Sequence, residues 1–204
     1  MKEFWNQVYN FSEYAYGKNP NSYFKLCLDK LPKGTLLLAA EGEGRNAVYA
    51  AESNWNVSAY DWSEVARNKA LQLALEKKVH FDYHLGSLKD LNFQTHCFDA
   101  LGLIYVHFPE RIRQINHLKL LDYVKPGGYI IIEAFHEDHL NYQKQNPNVG
   151  GPKMLQQLYT AQKIQSDFKD VNFQHLEEVE INLNEGYMHN GTTKVVRALA
   201  QKPF

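Results

Sequence analysis

Residues Thr35 to Ala51, TLLLAAEGEGRNAVYAA, constrain the fold of this chain more than any other stretch. Leu36, Leu37, Leu38, Ala39 and Ala40 make a short unbroken apolar run, the pattern of a strand covered on both faces. Gly42 and Gly44 follow with Glu43 between them, and Arg45, Asn46, Ala47 and Val48 open a helix whose Val48 and Ala51 can face a sheet. Glycines at such a turn let the backbone pass close to a ligand, and the helix N-terminus adds free N–H groups. The G-E-G run alone fits an ordinary strand-to-helix turn equally well. The decision falls to what comes after it.

Val57 to Asp61 reads as a short strand ending in an acid, and Asp61 lies 19 positions after Gly42. In a βαβ unit that distance returns the chain to the same edge of the sheet, where a carboxylate can accept both hydroxyls of an adenosine ribose. The bend and the acid together are far more specific than either alone. The plainer alternative is an Asp stabilised by a helix dipole. Ser63 caps a helix running to about Lys78, with Val65, Ala66, Leu71, Leu73, Ala74 and Leu75 on its apolar face. Val79 to Leu85 is a third strand, broken at Gly86-Ser87. Phe98 to Val106 is a central buried strand, Pro109 starts a helix, and Lys125-Pro126-Gly127-Gly128 ends it. Tyr129 to Phe135, YIIIEAF, is the fifth strand.

Strands and helices that alternate in this way predict a doubly wound parallel sheet. Before them, Met1 to Gly17 is rich in aromatics (Phe4, Trp5, Tyr9, Phe11, Tyr14, Tyr16), which reads as a surface helix stapled to the core or as a lid over a pocket. Ser22 to Leu31 has helical spacing and stops at Pro32. After Phe135 the rhythm changes: His136 to Pro152 has no sustained period and is expected to be a long functional loop. Thr160 caps a short helix to about Phe168. Phe173 to Leu183 and Thr193 to Ala200 then alternate as two directly joined strands, which implies antiparallel pairing. We expect one domain over 1–204, divided into an N-terminal helical or lid segment (1–34), a core (35–135) and a loop with a C-terminal hairpin (136–204).

At 204 residues the chain can bury roughly 70% of its unfolded surface as one large domain. Its net charge of -1 offers no basic field for nucleic acid or an anionic membrane. Cys27 and Cys97 both lie in apolar contexts, as expected of reduced thiols. With neither a long apolar run nor a signal-peptide pattern, the expected location is cytoplasmic, and the expected state a monomer or weak homodimer.

LAAEGEGRNAVYAA resembles the cofactor loop of class I S-adenosylmethionine-dependent methyltransferases, in the E-G-x-G-R-N-A form of tellurite-resistance-type and thiopurine-type members. YAYGKNPNSYF, YDWSEVARNKA, LDYVKPGGYIIIEAF, NVGGPKML and EGYMHNGTTKVVRALAQK are similar to further segments of such proteins. The resemblance implies an α/β, Rossmann-like, seven-stranded sheet, mostly parallel with an antiparallel C-terminal hairpin. It also implies S-adenosyl-L-methionine as cofactor and a small-molecule acceptor, such as a thiol or chalcogen oxyanion. Carried over, it sets Gly42 and Gly44 against the methionine part, with Glu41, Glu43, Arg45 and Asn46 alongside. Asp61 takes the ribose hydroxyls, Trp62 packs on adenine, and Ser87 and Leu88 border its edge. Tyr105 and His107 face the methyl group, and Tyr16 closes over the cofactor.

Three positions depart from that pattern. Ala40 stands where the first loop glycine is usual, which is tolerable for φ below zero. Leu38 replaces the strand acid, and Ser87 replaces the acid after the third strand. His107 is the leading candidate general base, with His136 and His189 next. His136-Glu137-Asp138-His139 reads as a solvated loop before it reads as a metal site. Two other readings compete: a nicotinamide-dependent oxidoreductase, disfavoured by the hairpin and the missing third glycine, and a binding protein that keeps the pocket without catalysis.

Overall fold

The computed structural model describes residues 2–204. Its centre is a seven-stranded sheet in the order β3-β2-β1-β4-β5-β7-β6. The strands are β1 (Thr35–Ala39), β2 (Asn56–Asp61), β3 (Asp82–Leu85), β4 (Phe98–Ile104), β5 (Val124–Phe135), β6 (Asn172–Glu185) and β7 (His189–Gln201). The first five run parallel, with Leu36 beside Val57 and Ala100 and Ser58 beside Asp82. β7 is antiparallel both to β5, where Glu133 faces Arg197, and to β6. The doubly wound sheet closed by a C-terminal hairpin is therefore the architecture expected from the alternating pattern.

Helices α2 (Ser22–Leu28), α3 (Arg45–Glu52) and α4 (Glu64–Lys77) cover one face; α5 (Glu110–Tyr123) and α7 (Ala161–Asp167) pack beside β4, β5 and β6. Leu36, Leu38 and Val57 fill the first layer, and Leu37, Leu101, Leu103, Ile130 and Ile132 the second, all nearly fully buried. Each such side chain contributes about 1.5–3 kcal/mol of apolar burial. Gly102 lets the central strand sit against this layer: a Cβ there would lie 2.5 Å from Leu38 Cδ2.

Capping residues set the helix starts. Ser63 Oγ accepts the Ala66 N–H at 3.1 Å and Thr160 Oγ1 the Lys163 N–H at 3.1 Å, both at the expected positions. The order of β1, β2 and β4 reverses direction at β1, so the carboxyl ends of these strands open a crevice at a topological switch point.

The segment 136–152 is not the featureless loop that its composition predicts. It folds as α6 (His139–Gln145) followed by a 3-10 turn at Pro147–Val149. His139 anchors it: this fully buried ring bonds the Thr193 hydroxyl at 2.6 Å and the Gly150 carbonyl at 2.8 Å. A short helix fixed by one buried polar side chain has no long apolar period to read. Among the described residues, no helix is long and apolar enough to cross a membrane.

Candidate functional site

The bend after β1 and the acid at the tip of β2 touch. Gly42 donates its N–H to Asp61 Oδ2 at 3.1 Å, and Ser63 donates to Asp61 Oδ1 at 2.9 Å. Tyr83 of β3 donates its hydroxyl to the Gly42 carbonyl at 2.6 Å, so the bend is held from both sides. Burial pushes the Asp61 carboxyl upward, while the backbone N–H groups of Ser63, Gly42 and Trp62 pull it back. Trp62 is half-buried beside it. Gly42 and Gly44 have φ of +62° and +83°, the left-handed region that glycine adopts without strain. At Gly44 the requirement is also one of contact, because a Cβ would lie 2.6 Å from Ala70 Cβ on α4.

Ala40 also has a positive φ, +49°. The condition set for alanine at this position is not met, and the residue carries backbone strain at the strand tip. Tyr105, at the tip of neighbouring β4, has φ +55°. Two strained non-glycine residues therefore sit at adjacent strand ends beside the crevice, where strain gathers at functional sites.

Glu41 is turned inward. Its Oε1 accepts the N–H groups of Asn46 and Ala47, both at 2.8 Å, so the carboxylate caps α3 and does not line the crevice. Burial raises its pKa to about 7 despite these donors. This cap fixes the loop from its inner side. Glu43 also faces protein: Oε2 accepts the Ala15 N–H at 2.7 Å, and Oε1 pairs with Lys69. The Lys69 ammonium reaches on to the carbonyls of Phe11 and Glu13 at 3.0 and 2.6 Å.

These contacts fasten the N-terminal segment over the bend. Helix α1 (Lys2–Tyr9) ends with the buried Tyr9, whose hydroxyl lies 2.7 Å from where a Gly42 Cβ would be. Trp5 stacks on Tyr9 at 5.6 Å, and Tyr16 meets its edge at 6.3 Å. The aromatic segment is thus fastened to α4 and packed on the bend.

Arg45 and Asn46 tie this segment to the hairpin. Arg45 donates to the Tyr16 carbonyl at 3.2 Å and to Glu185 Oε2 at 3.0 Å, and Asn46 Oδ1 accepts the Asn21 N–H at 2.9 Å. The Asn21 side chain donates to Glu133 Oε1 at 2.6 Å and Glu185 Oε1 at 3.0 Å. Glu133 is fully buried and also accepts the Tyr105 hydroxyl and Arg197 Nε, both at 2.6 Å. Burial works against the Glu185 carboxylate, but Arg45 and His189 outweigh it and hold the pKa down at about 2. A cleft of about 290 Å³ opens here, lined by Tyr16, Ser22, Glu133, Leu183, Glu185 and Arg197 among others.

Asn21, Glu133 and Glu185 were not singled out from sequence. Glu133 did leave a signal, a lone acid inside the apolar strand YIIIEAF. Ser87 spends its N–H and hydroxyl on Asp90 Oδ2, both at 2.7 Å, so the acid in this loop is Asp90, three residues on. Leu88 is buried in the core, which leaves only its backbone near the loop rim.

His107 is enclosed. Nδ1 donates to the Gln157 carbonyl at 2.7 Å, Nε2 accepts the Phe135 N–H at 3.4 Å, and the ring stacks between Phe135 and Tyr159. Burial drives its pKa down to about 3. Both nitrogens serve the backbone, so this geometry gives His107 no lone pair for a substrate proton. His136 pairs with Glu178 at 3.0 Å and Asp138 at 3.3 Å, while His139 points into the core, so the His-Glu-Asp-His run does not converge.

Residues 37–128 match the family model described as a methyltransferase domain. No curated protein matches the sequence. Solved structures resemble the whole chain. One, solved in work on the conversion of a disulfide bond into a thioacetal group during echinomycin biosynthesis, has a TM-score of 0.80 at 16% identity and covers 100% of this chain and 92% of its own. TehB from Haemophilus influenzae gives 0.72 at 16% identity, covering 98% and 66%. Magnesium protoporphyrin IX methyltransferase from Synechocystis PCC 6803, with bound SAH, gives 0.65 at 13% identity, covering 98% and 82%. At these identities the structures show the fold, and the family model adds the domain. The chain accordingly has the fold of these methyltransferases, and its residues 37–128 match a methyltransferase domain.

Proposed function

We propose that this enzyme transfers the methyl group in line to a small-molecule acceptor seated between the N-terminal segment and the C-terminal hairpin. The observation that carries this reading is the contact between the Gly42 N–H and the Asp61 carboxylate at one sheet edge. The residues fit the cofactor once Tyr9, which covers the Gly42 bend, is moved aside: a bend with no side chain of its own, a carboxylate with lone pairs left for ribose hydroxyls, and half-buried Trp62 next to it. Bound there, S-adenosylmethionine supplies an electrophilic methyl on a sulfonium. The chain's own task is alignment and exclusion of water. Tyr16 and the segment fastened by Lys69 supply the exclusion, and Tyr105, fixed by Glu133, sets one wall. Thiols and chalcogen oxyanions are the acceptors suggested by the E-G-x-G-R-N-A run, and a place in the tellurite-resistance-like branch is part of this proposal.

Calorimetry tests the reading. S-adenosylmethionine and S-adenosylhomocysteine bind and NADH does not. Asp61→Ala weakens binding by about 1–3 kcal/mol, the scale for losing a hydrogen-bonded charged partner. Unchanged affinity in that variant rejects the site.

A further inference from the structure

His189 opens β7 and is buried against the site from the hairpin side. Its ring lies 4.3 Å from that of Tyr16, 4.7 Å from Tyr105 and 5.2 Å from Phe135, measured between centroids. Nδ1 faces Glu185 Oε2 at 3.3 Å. A carboxylate only accepts, so Nδ1 carries the hydrogen and Nε2 presents a bare lone pair. Among the described residues Nε2 has no hydrogen-bond partner, in contrast to His107 and His139, whose two nitrogens are both engaged. Glu185 is itself clamped by Arg45 and Asn21, so the ring is aimed by a chain that starts at the glycine bend. Tyr16 and Glu185, which flank the imidazole, both line the cleft.

We propose that His189 Nε2 takes the proton of the methyl acceptor, that Glu185 is its positioning residue, and that the acceptor therefore brings its own proton as an S–H or O–H group. This rests on the methyl-transfer reading and narrows its substrate class away from chalcogen oxyanions. The acceptor sulfur or oxygen bonds to the methyl carbon as the S–CH3 bond breaks, and that electron pair stays on the departing sulfur. The acceptor proton moves to Nε2, and the resulting imidazolium is balanced by the Glu185 carboxylate. The charged or titratable groups facing the ring are Glu185, Arg45, Tyr16, Tyr105 and the neutral His139 and His107.

Three measurements decide it. Calorimetry with S-adenosylhomocysteine on the wild type, His189→Gln and Glu185→Gln tests the underlying reading: no binding by the wild type rejects that reading, whatever the histidine does. Nitrogen-15 spectra of histidine-labelled protein with S-adenosylhomocysteine test the proton position without turnover. His189 is expected as a neutral Nδ1–H tautomer with bare Nε2, and Glu185→Gln is expected to lose that fixed tautomer. An Nε2–H signal in the wild type overturns the proposal. Turnover at pH 6.5 is then compared on 2-mercaptoethanol, 4-nitrophenol and tellurite. His189→Gln is expected to lower kcat on the thiol or phenol by about 100-fold or more, the scale of general base catalysis, with cofactor affinity within about twofold. Tellurite methylated equally by the wild type and His189→Gln, with thiol and phenol untouched, overturns it.

Discussion

Ala40 shows how one residue records the demands of the site. Its φ of +49° costs an alanine about 1–2 kcal/mol relative to a right-handed conformation, and it is exposed, so no packing recovers that cost. Ala40→Gly relieves the strain but frees the unfolded chain, and a net gain of about 0.5–1 kcal/mol is expected in denaturant unfolding. A loss of stability in that variant contradicts the strain assignment. Glu41 gives a second test. Its folded pKa, about 7, lies above the ordinary 4.5, so the folded protein holds the extra proton. Its contribution is fully present below pH 4.5 and is lost as pH rises through 7. Subtracting the Glu41→Gln profile from the wild type should reveal this fall, on the order of 1–3 kcal/mol; a flat difference refutes it. Gly42, Gly44 and Asp61 were legible because spacing along the chain encodes their meeting. Glu41 was not, because an acid at a loop reads the same whether it faces ligand or helix.

At the scale of elements, α1 shows what pattern reading leaves undecided. Its aromatics announce burial, and the sequence does not say against what. The structure seats Tyr9 on the bend, with Lys69 and Glu43 closing the clasp. The Tyr9 ring thus covers Gly42, and a cofactor bound as proposed would have to displace it. Tyr9→Ala is expected to raise the association rate of S-adenosylhomocysteine several-fold in stopped-flow fluorescence, as steps that require a conformational change slow association. An unchanged rate removes α1 from the entry path. The 136–152 segment hides its structure for a different reason: α6 spans seven residues, too short to show a period, and its fixing contact, His139 to Thr193, crosses from helix to strand. β1, β4 and β5 were legible because burial on both faces leaves apolar runs, and β6 and β7 because their residues alternate.

For the molecule as a whole, the hairpin is tied to the cofactor-loop candidate and is not merely the sheet's closing edge. β7 pairs with β5 along Glu133 and Arg197, and the end of β6 delivers Glu185 back to Arg45 at the start of α3. The Arg45 and Glu185 side chains are only 8% and 13% exposed, so their pairing stands largely out of water. Such pairs add little beyond their desolvation cost, but removing one partner strands the other and costs about 3–5 kcal/mol. Arg45→Met should therefore destabilise by about that amount, whereas Arg45→Met with Glu185→Leu should recover most of it, since no charge is left unpaired. Asn21 and His189 each lose a partner in the double variant, which keeps it below the wild type. Denaturant unfolding of both single variants and the double closes the cycle. Additive losses would mean that the two residues act independently and that Asn21, not this ion pair, carries the link between the loop and the hairpin.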